Sequence, residues 1–169
     1  MEPVREKDQM RAFPDLDEAT VDRLIEAARA AASHAYVPYS RFPVGAAVLT
    51  MNGEIVSGVN IENASFGLTV CGERVAIFAA AAQGHRELVA VAVSAPRSQG
   101  TAPCGACRQV MNEFRPRNGE LVVLLDHRDH VERIALAALL PRSFGPHDLE
   151  RAEQGDTPEP PPARKSTIP

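Results

Sequence analysis

The sequence predicts an α/β fold, a mixed five-stranded sheet sandwiched by helices in the order α-β-β-α-β-α-β-β-α. Three observations predict it. Residues 15–34 carry apolar side chains at helical spacing. Residues 44–60 read as two strand-like runs around an Asn-Gly turn. From Cys71 to Ala135, helical and extended stretches alternate, the pattern of helices laid on the faces of one sheet. At 169 residues, the chain has room for one domain and short flanking segments.

Taken in order, residues 1–14 are polar, lack a period and read as a flexible arm. Asp15 or Asp17 can cap the first helix, whose face carries Leu16, Thr20, Leu24, Ala27, Ala28 and Ala31. Pro38 disfavours the α region for Val37 and ends that stretch. Val44–Thr50 and Glu54–Asn60 flank Met51-Asn52-Gly53, a hairpin signal because Asn and Gly both accept positive φ. Cys71–Gln83 reads as an alanine-rich helix closed by Gly84, and Leu88–Ala95 as a strand. Pro103–Phe114 reads as a short helix entered at Cys104. Leu121–Leu125 is a continuous apolar run suited to a strand buried on both faces. Val131–Ala135 makes the last strand, and a helical turn ends before Pro141. The folded domain is therefore expected to span 15–150, with a disordered Pro-rich tail over 151–169, where Pro160-Pro161-Pro162 run consecutively.

Charge and cysteine content narrow the function. Lys and Arg number 18 against 22 Asp and Glu, a net charge of −4. Affinity built on phosphate contacts needs a basic face, so a nucleic-acid partner is not expected. The longest apolar runs, Val75–Ala82 and Ile134–Leu140, are too short to cross a membrane, and the charged N-terminus does not read as a secretory signal. A cytoplasmic location follows, where thiols stay reduced.

An odd count of three cysteines fits a ligand set better than a disulfide framework. Cys104-Gly105-Ala106-Cys107 opens a helix, so both sulfurs lie on one side, where the helix N-terminus favours thiolates. Cys71 opens the preceding helix. If the two helices lie side by side on one sheet face, three thiolates converge. Three protein ligands leave a fourth position open, the mark of a catalytic zinc site. Glu73, two residues beyond Cys71, can reach that position without ligating. This is the zinc-deaminase pattern: a ligand, one spacer and a glutamate, then Pro-Cys-x-x-Cys. The competing readings are a structural zinc knuckle with a distant fourth ligand such as His85 or His127, a thioredoxin-like redox pair, and inert buried cysteines.

Over roughly residues 18–145 the chain resembles the small homotetrameric cytidine deaminases. The resemblance rests on Tyr39-Ser40-Arg41-Phe42-Pro43-Val44-Gly45-Ala46-Ala47, Asn60-Ile61-Glu62-Asn63-Ala64, Cys71-Gly72-Glu73-Arg74, Pro103-Cys104-Gly105-Ala106-Cys107-Arg108-Gln109, and Leu139-Leu140-Pro141 with Phe144. It implies one Zn²⁺ per subunit on Cys71, Cys104 and Cys107, with Glu73 as proton shuttle. It implies that Phe42 stacks on the pyrimidine and that Asn60 and Glu62 bind the ribose. The backbone at Gly72 faces the base edge, and Phe144 closes the pocket, often that of a neighbouring subunit. Arg74 offsets the charge of the sulfurs. The expected activity is deamination of cytidine and 2′-deoxycytidine in pyrimidine salvage. The alternatives are a deaminase of another nucleoside or base, such as blasticidin S, or a non-catalytic zinc-stabilised binding module. One departure stands out: Gly72 replaces the alanine usual in the family, at a cost of roughly 0.5–1 kcal/mol of helix stability. The Asn60-x-Glu62 pair also agrees with a sugar on chemical grounds, because a carboxylate accepts from hydroxyls and repels phosphate.

Overall fold

The computed structural model describes residues 16–153. The expected N-terminal arm, and the part of the expected tail beyond Glu153, lie outside the described residues. The elements are α1 (Glu18–Ala32), β1 (Gly45–Thr50), β2 (Ile55–Val59), a 3₁₀ turn (Phe66–Leu68), α2 (Gly72–Ala82), β3 (Leu88–Ser94), α3 (Gly105–Glu113), β4 (Val122–Asp126), β5 (Val131–Ala135), α4 (Leu136–Leu139) and α5 (Pro146–Glu153). The five strands form one mixed sheet in the order β2-β1-β3-β4-β5. β3 and β4 pair in parallel; the other neighbours are antiparallel.

Strand periodicity sorts the core into two layers. Ala47, Leu49, Ala90, Ala92, Val122 and Leu124 point to one face and pack on Val21, Leu24, Ile25 and Ala28 of α1. Ala46, Val48, Val91, Val93, Val123 and Leu125 point to the other. There they meet Ala76, Ile77 and Ala80 of α2, Cys107 and Met111 of α3, and Leu136 of α4. Every residue of β1 and β4 is buried, as expected for strands covered on both faces. The helices sit close because two strand positions lack a side chain. A Cβ on Gly45 would lie 2.0 Å from the Ala28 carbonyl oxygen, and one on Gly58 would lie 2.3 Å from the Ala76 nitrogen.

The helix ends follow the expected chemistry. Asp17 caps α1, its carboxylate accepting from the Thr20 amide at 2.8 Å. Gly84, at φ +98°, closes α2, with its own amide donating to Ala81 and the His85 amide donating to Ala80.

The hairpin turn falls at Met51-Asn52-Gly53 as expected, a three-residue loop in which only Gly53 is left-handed, at φ +83°, and the Thr50 amide donates to the Glu54 carbonyl. One element was not expected. α5 follows the last expected helical turn and runs past the boundary expected at residue 150. It is entered through Gly145, whose amide donates to the Asp148 carboxylate at 2.8 Å.

The register gathers chain ends at one edge. Gly45 pairs with both Val59 and Ser94, so the start of β1 meets the ends of β2 and β3. Parallel β4 ends on the same side, the place where open α/β sheets hold their ligands.

Candidate active site and metal centre

The three sulfurs converge at this edge. Cys71 is the N-cap of α2 and Cys104 the N-cap of α3, and neither side chain caps its own helix. Both thiols are free to face outward, and Cys107 follows one turn into α3. The Sγ atoms of Cys71 and Cys104 lie 3.8 Å apart, those of Cys104 and Cys107 lie 3.5 Å apart, and all three fall within 4.8 Å. Sulfurs about 2.3 Å from a tetrahedral zinc ion stand ~3.8 Å from one another, close to the two separations made by Cys104, so the donor set suits zinc. Among the described residues it is the one cluster of three or more metal-ligating side chains. His85 instead faces Glu54 at 3.5 Å, and His127 faces Glu132 at 3.0 Å, so neither supplies a fourth ligand.

One of the three thiols, Cys71, is poised to lose its proton. The hydrogen bond from the Cys107 thiol, aided by the nearby Arg74 guanidinium, holds Cys71 down at about 5. Cys107, as the donor to Cys71 and a buried group, is pushed up. Arg74 reaches Cys71 Sγ at 3.7 Å and the Thr69 carbonyl at 3.4 Å. Its Nε is buried without a partner. That guanidinium is well placed to offset the net −1 charge that three thiolates give a divalent zinc ion.

Glu73 lies on the first turn of α2 and is 4% exposed. Burial, more than the nearby Cys71 sulfur, raises the affinity of its carboxyl for a proton. A carboxyl whose protonated form is favoured this way is suited to accept a proton and pass it on. Gly72, between Cys71 and Glu73, packs its backbone against β1 and β2. A Cβ there would lie 3.1 Å from the Val44 carbonyl oxygen.

The expected substrate contacts divide into two groups. Asn60, just past β2, braces the segment around Phe42: its Nδ2 donates to the Phe42 carbonyl at 2.9 Å, and its Oδ1 accepts from the Val44 amide at 2.8 Å. Glu62 accepts from the Tyr39 and Ser40 amides at 2.9 and 3.1 Å. The Ser40 hydroxyl, with those amides, holds its carboxyl below the usual range, so it stays an anionic acceptor. Asn60 and Glu62 therefore do not act as a strand pair. They grip the ends of one loop, 39–44, which carries Phe42 between them. Phe144 stands apart. The residue is 61% exposed, so the chain that carries it does not bury it.

Sequence reasoning missed the residues that hold these groups. Ser40 links both halves of the loop, its Oγ accepting from the Phe42 amide at 3.0 Å. Gln109 and Asn112 of α3 both donate to the Phe144 carbonyl, at 2.9 and 3.0 Å. Their spacing of three on one helix face was the available signal.

Comparison with known proteins agrees with this geometry. Residues 19–124 match the family described as the cytidine and deoxycytidylate deaminase zinc-binding region. The chain is 48% identical over 126 residues to a cytidine deaminase of Halalkalibacterium halodurans, covering 75% of this chain and 95% of that one. It is 44% identical over 135 residues to a cytidine deaminase of Sporosarcina psychrophila, covering 79% and 98%. Among solved structures, the cytidine deaminase of Burkholderia pseudomallei superposes with a TM-score of 0.67 at 46% identity, covering 73% of this chain and 98% of that one.

Proposed function

The chain belongs to the cytidine and deoxycytidylate deaminase family, and from that premise we propose that it hydrolyses cytidine and 2′-deoxycytidine to uridine and 2′-deoxyuridine, releasing ammonia, in pyrimidine salvage. One observation carries the reading: three sulfurs at zinc spacing with the buried Glu73 carboxyl beside two of them.

Cys71, Cys104 and Cys107 would hold one Zn²⁺ per subunit, and zinc bound there would supply a water acidic enough to lose its proton readily. The remaining steps belong to the chain. Glu73 takes a proton from the attacking water and delivers it to N3 of the cytosine ring, which makes C4 electrophilic. The hydroxide left behind adds to C4, and Glu73 then carries its remaining proton to the 4-amino group, so that the C4–N bond breaks, ammonia departs and C4 keeps the oxygen as a carbonyl. Arg74 keeps the sulfur cluster from blunting this acidity. Phe42 stacks on the base, the backbone at Gly72 meets its edge, and Asn60 and Glu62 accept and donate to the sugar hydroxyls. A 3′ hydroxyl suffices for that contact, so both ribo- and deoxyribonucleosides fit.

We extend the proposal to assembly and location. The catalytic unit spans about residues 15–150 and forms a homotetramer in which Phe144 of each subunit closes a neighbour's base pocket. Tyr39 and Phe66 are both exposed with ring centroids 5.7 Å apart, an apolar pair in water that supports burial between subunits, as does the exposure of Phe144. Among the described residues no helix is long and apolar enough to cross a membrane. Free thiols at the site suit the reducing cytoplasm.

The test is direct. Purified protein should carry about one zinc per chain and release ammonia from cytidine and deoxycytidine. Activity should vanish on chelation and return with zinc. Turnover confined to guanine or blasticidin S would reassign the substrate, and stoichiometric zinc with no turnover on any nucleoside would leave a zinc-stabilised binding module.

A further inference from the structure

The segment that presents Phe144 is tied to the helix that carries two of the sulfurs. Cys104 caps α3 and Cys107 lies in its first turn. One to two turns further along the same helix, Gln109 Nε2 and Asn112 Nδ2 donate to a single acceptor, the Phe144 carbonyl oxygen. Asn112 is 2% exposed, and its Oδ1 accepts from the Ser143 hydroxyl at 3.1 Å. Arg108 donates to the Leu139 carbonyl at 2.9 Å. The chain passes so close to Asn112 that a Cβ on Gly145 would lie 2.7 Å from its Nδ2. Helix α3 therefore fixes the backbone of residues 139–145 while Phe144 stays 61% exposed. An aromatic ring kept in water on a doubly held carbonyl has lost backbone freedom before any contact forms. That is the economy of a preorganised recognition element.

We propose that Gln109 and Asn112 are positioning residues for substrate binding in the neighbouring subunit, acting by clamping the Phe144 carbonyl. The inference rests on the reading that Phe144 closes a neighbour's pocket. Because the same helix bears Cys104 and Cys107, each metal centre is rigidly joined to the aromatic side chain that completes a different site. The clamp acts on binding of the base and leaves the proton transfers to Glu73.

Gln109 is exposed, so altering it does not threaten the core. Gln109→Glu preserves shape but removes the donor and sets a carboxylate against the carbonyl. It should raise KM for cytidine roughly three- to tenfold, the scale of one lost hydrogen bond, with kcat within about twofold. Phe144→Ala should raise KM at least as much, and adding Gln109→Glu to it should change nothing further. Mixed tetramers supply the readout that a merely structural role would not move. Co-assembly of Gln109→Glu subunits with catalytically dead Glu73→Gln subunits, whose clamps are intact, should return active sites with the unaltered KM. If Phe144→Ala raises KM while Gln109→Glu does not, the clamp is overturned and the neighbour-pocket reading stands. If the two substitutions add in full, or mixing restores no site, Gln109 acts elsewhere and the proposal fails. A Phe144→Ala enzyme with unchanged KM removes both.

Discussion

Two polar clusters sit at the same end of the sheet, on opposite faces, and they are built to opposite rules. On the α1 face, Asp126 at the end of β4 is 5% exposed, and both carboxylate oxygens are saturated. Arg29 grips them through Nε and Nη2 at 2.7 and 2.6 Å, the Ser94 hydroxyl adds 2.7 Å, and the Arg128 amide adds 2.9 Å. On the α2 and α3 face, three thiols have only one another and Arg74, Arg74 Nε has no partner, and Glu73 is buried where its charge is disfavoured. The first cluster is complete within one chain and stabilises the fold. The second is finished only by a metal, a nucleoside and, on our reading, a neighbour. Polar burial satisfied from within marks structure; polar burial left open marks function.

The largest expected effect breaks the open cluster. Glu73→Gln should lower kcat by at least about 10²–10⁴-fold, the usual worth of general acid–base work, while leaving about one zinc per chain. Metal analysis and ammonia release on the same preparation measure both. Activity within tenfold of the unaltered enzyme would remove Glu73 from the chemistry, and with it the distinction between the two clusters.

The second effect breaks the closed cluster. Asp126→Ala strands the Ser94 hydroxyl and the Arg128 amide and releases Arg29, which is 44% exposed and can turn to water. The cost should be about 2–4 kcal/mol, or a melting temperature lower by roughly 5–15 °C. KM and kcat at 25 °C should stay within about twofold. A large loss of activity at unchanged melting temperature would mean that the α1 face also serves the reaction.

How legible each cluster was in the sequence follows from the distance its residues span. Glu73 announced itself because Cys71-Gly72-Glu73 fits within the first turn of one helix, and Cys104 and Cys107 repeat that geometry on the next. The elements were likewise local: the Asp17 cap, Gly84 as helix stop, and the strand-like run of β1 beside its Asn-Gly turn each depend on neighbours a few residues away. The Arg29–Asp126 pair joins residues 97 apart, and neither has a local pattern that singles it out. The hairpin loop was legible in place and length, and what the sequence left open was which of Asn52 and Gly53 takes the positive φ that the structure gives to Gly53 alone. α5 was missed because Gly145-Pro146 reads as a breaker. It is in fact a helix entry, with proline in the first turn and Asp148 returning to the Gly145 amide.

A third effect separates the clusters by pH. The Arg29 hydrogen bond, with Ser94 and the Arg128 amide, lowers Asp126 from 3.8 to about 2. A carboxylate depressed in the folded state contributes stability that is fully present above its unfolded value and is lost as pH falls through the folded one. Asp126 should therefore contribute about 2 kcal/mol at neutral pH, less the screening of a partly exposed Arg29, and lose it between about pH 4 and 2. Melting temperatures of the unaltered protein and Asp126→Asn should converge across that window. Curves that stay parallel would show that the closed cluster does not hold its charge as described.

The smallest effect lies where the two rules meet, in a satisfied backbone bridge inside the unfinished site. The Asn60 amide donates to the Val44 carbonyl at 3.1 Å, and the Asn60 side chain returns to the Val44 amide at 2.8 Å. Gly72 lies against this bridge. An alanine there would bring its Cβ 3.1 Å from the Val44 oxygen and 3.4 Å from the Asn60 nitrogen, so the bridge must give by a few tenths of an ångström. Against that strain stands a gain of at most ~0.5–1 kcal/mol in helix propensity, reduced because Gly72 is the first residue of α2. The two effects oppose at similar size, and Gly72→Ala should move the melting temperature by no more than about 2 °C. What shifts is Asn60 and the loop it braces around Phe42, so KM for cytidine should rise about two- to threefold with kcat unchanged, a loss of binding common to ground and transition states. A fall in kcat instead would place the strain on Glu73, one residue along, and would mean that Gly72 tunes the proton shuttle rather than the sugar pocket.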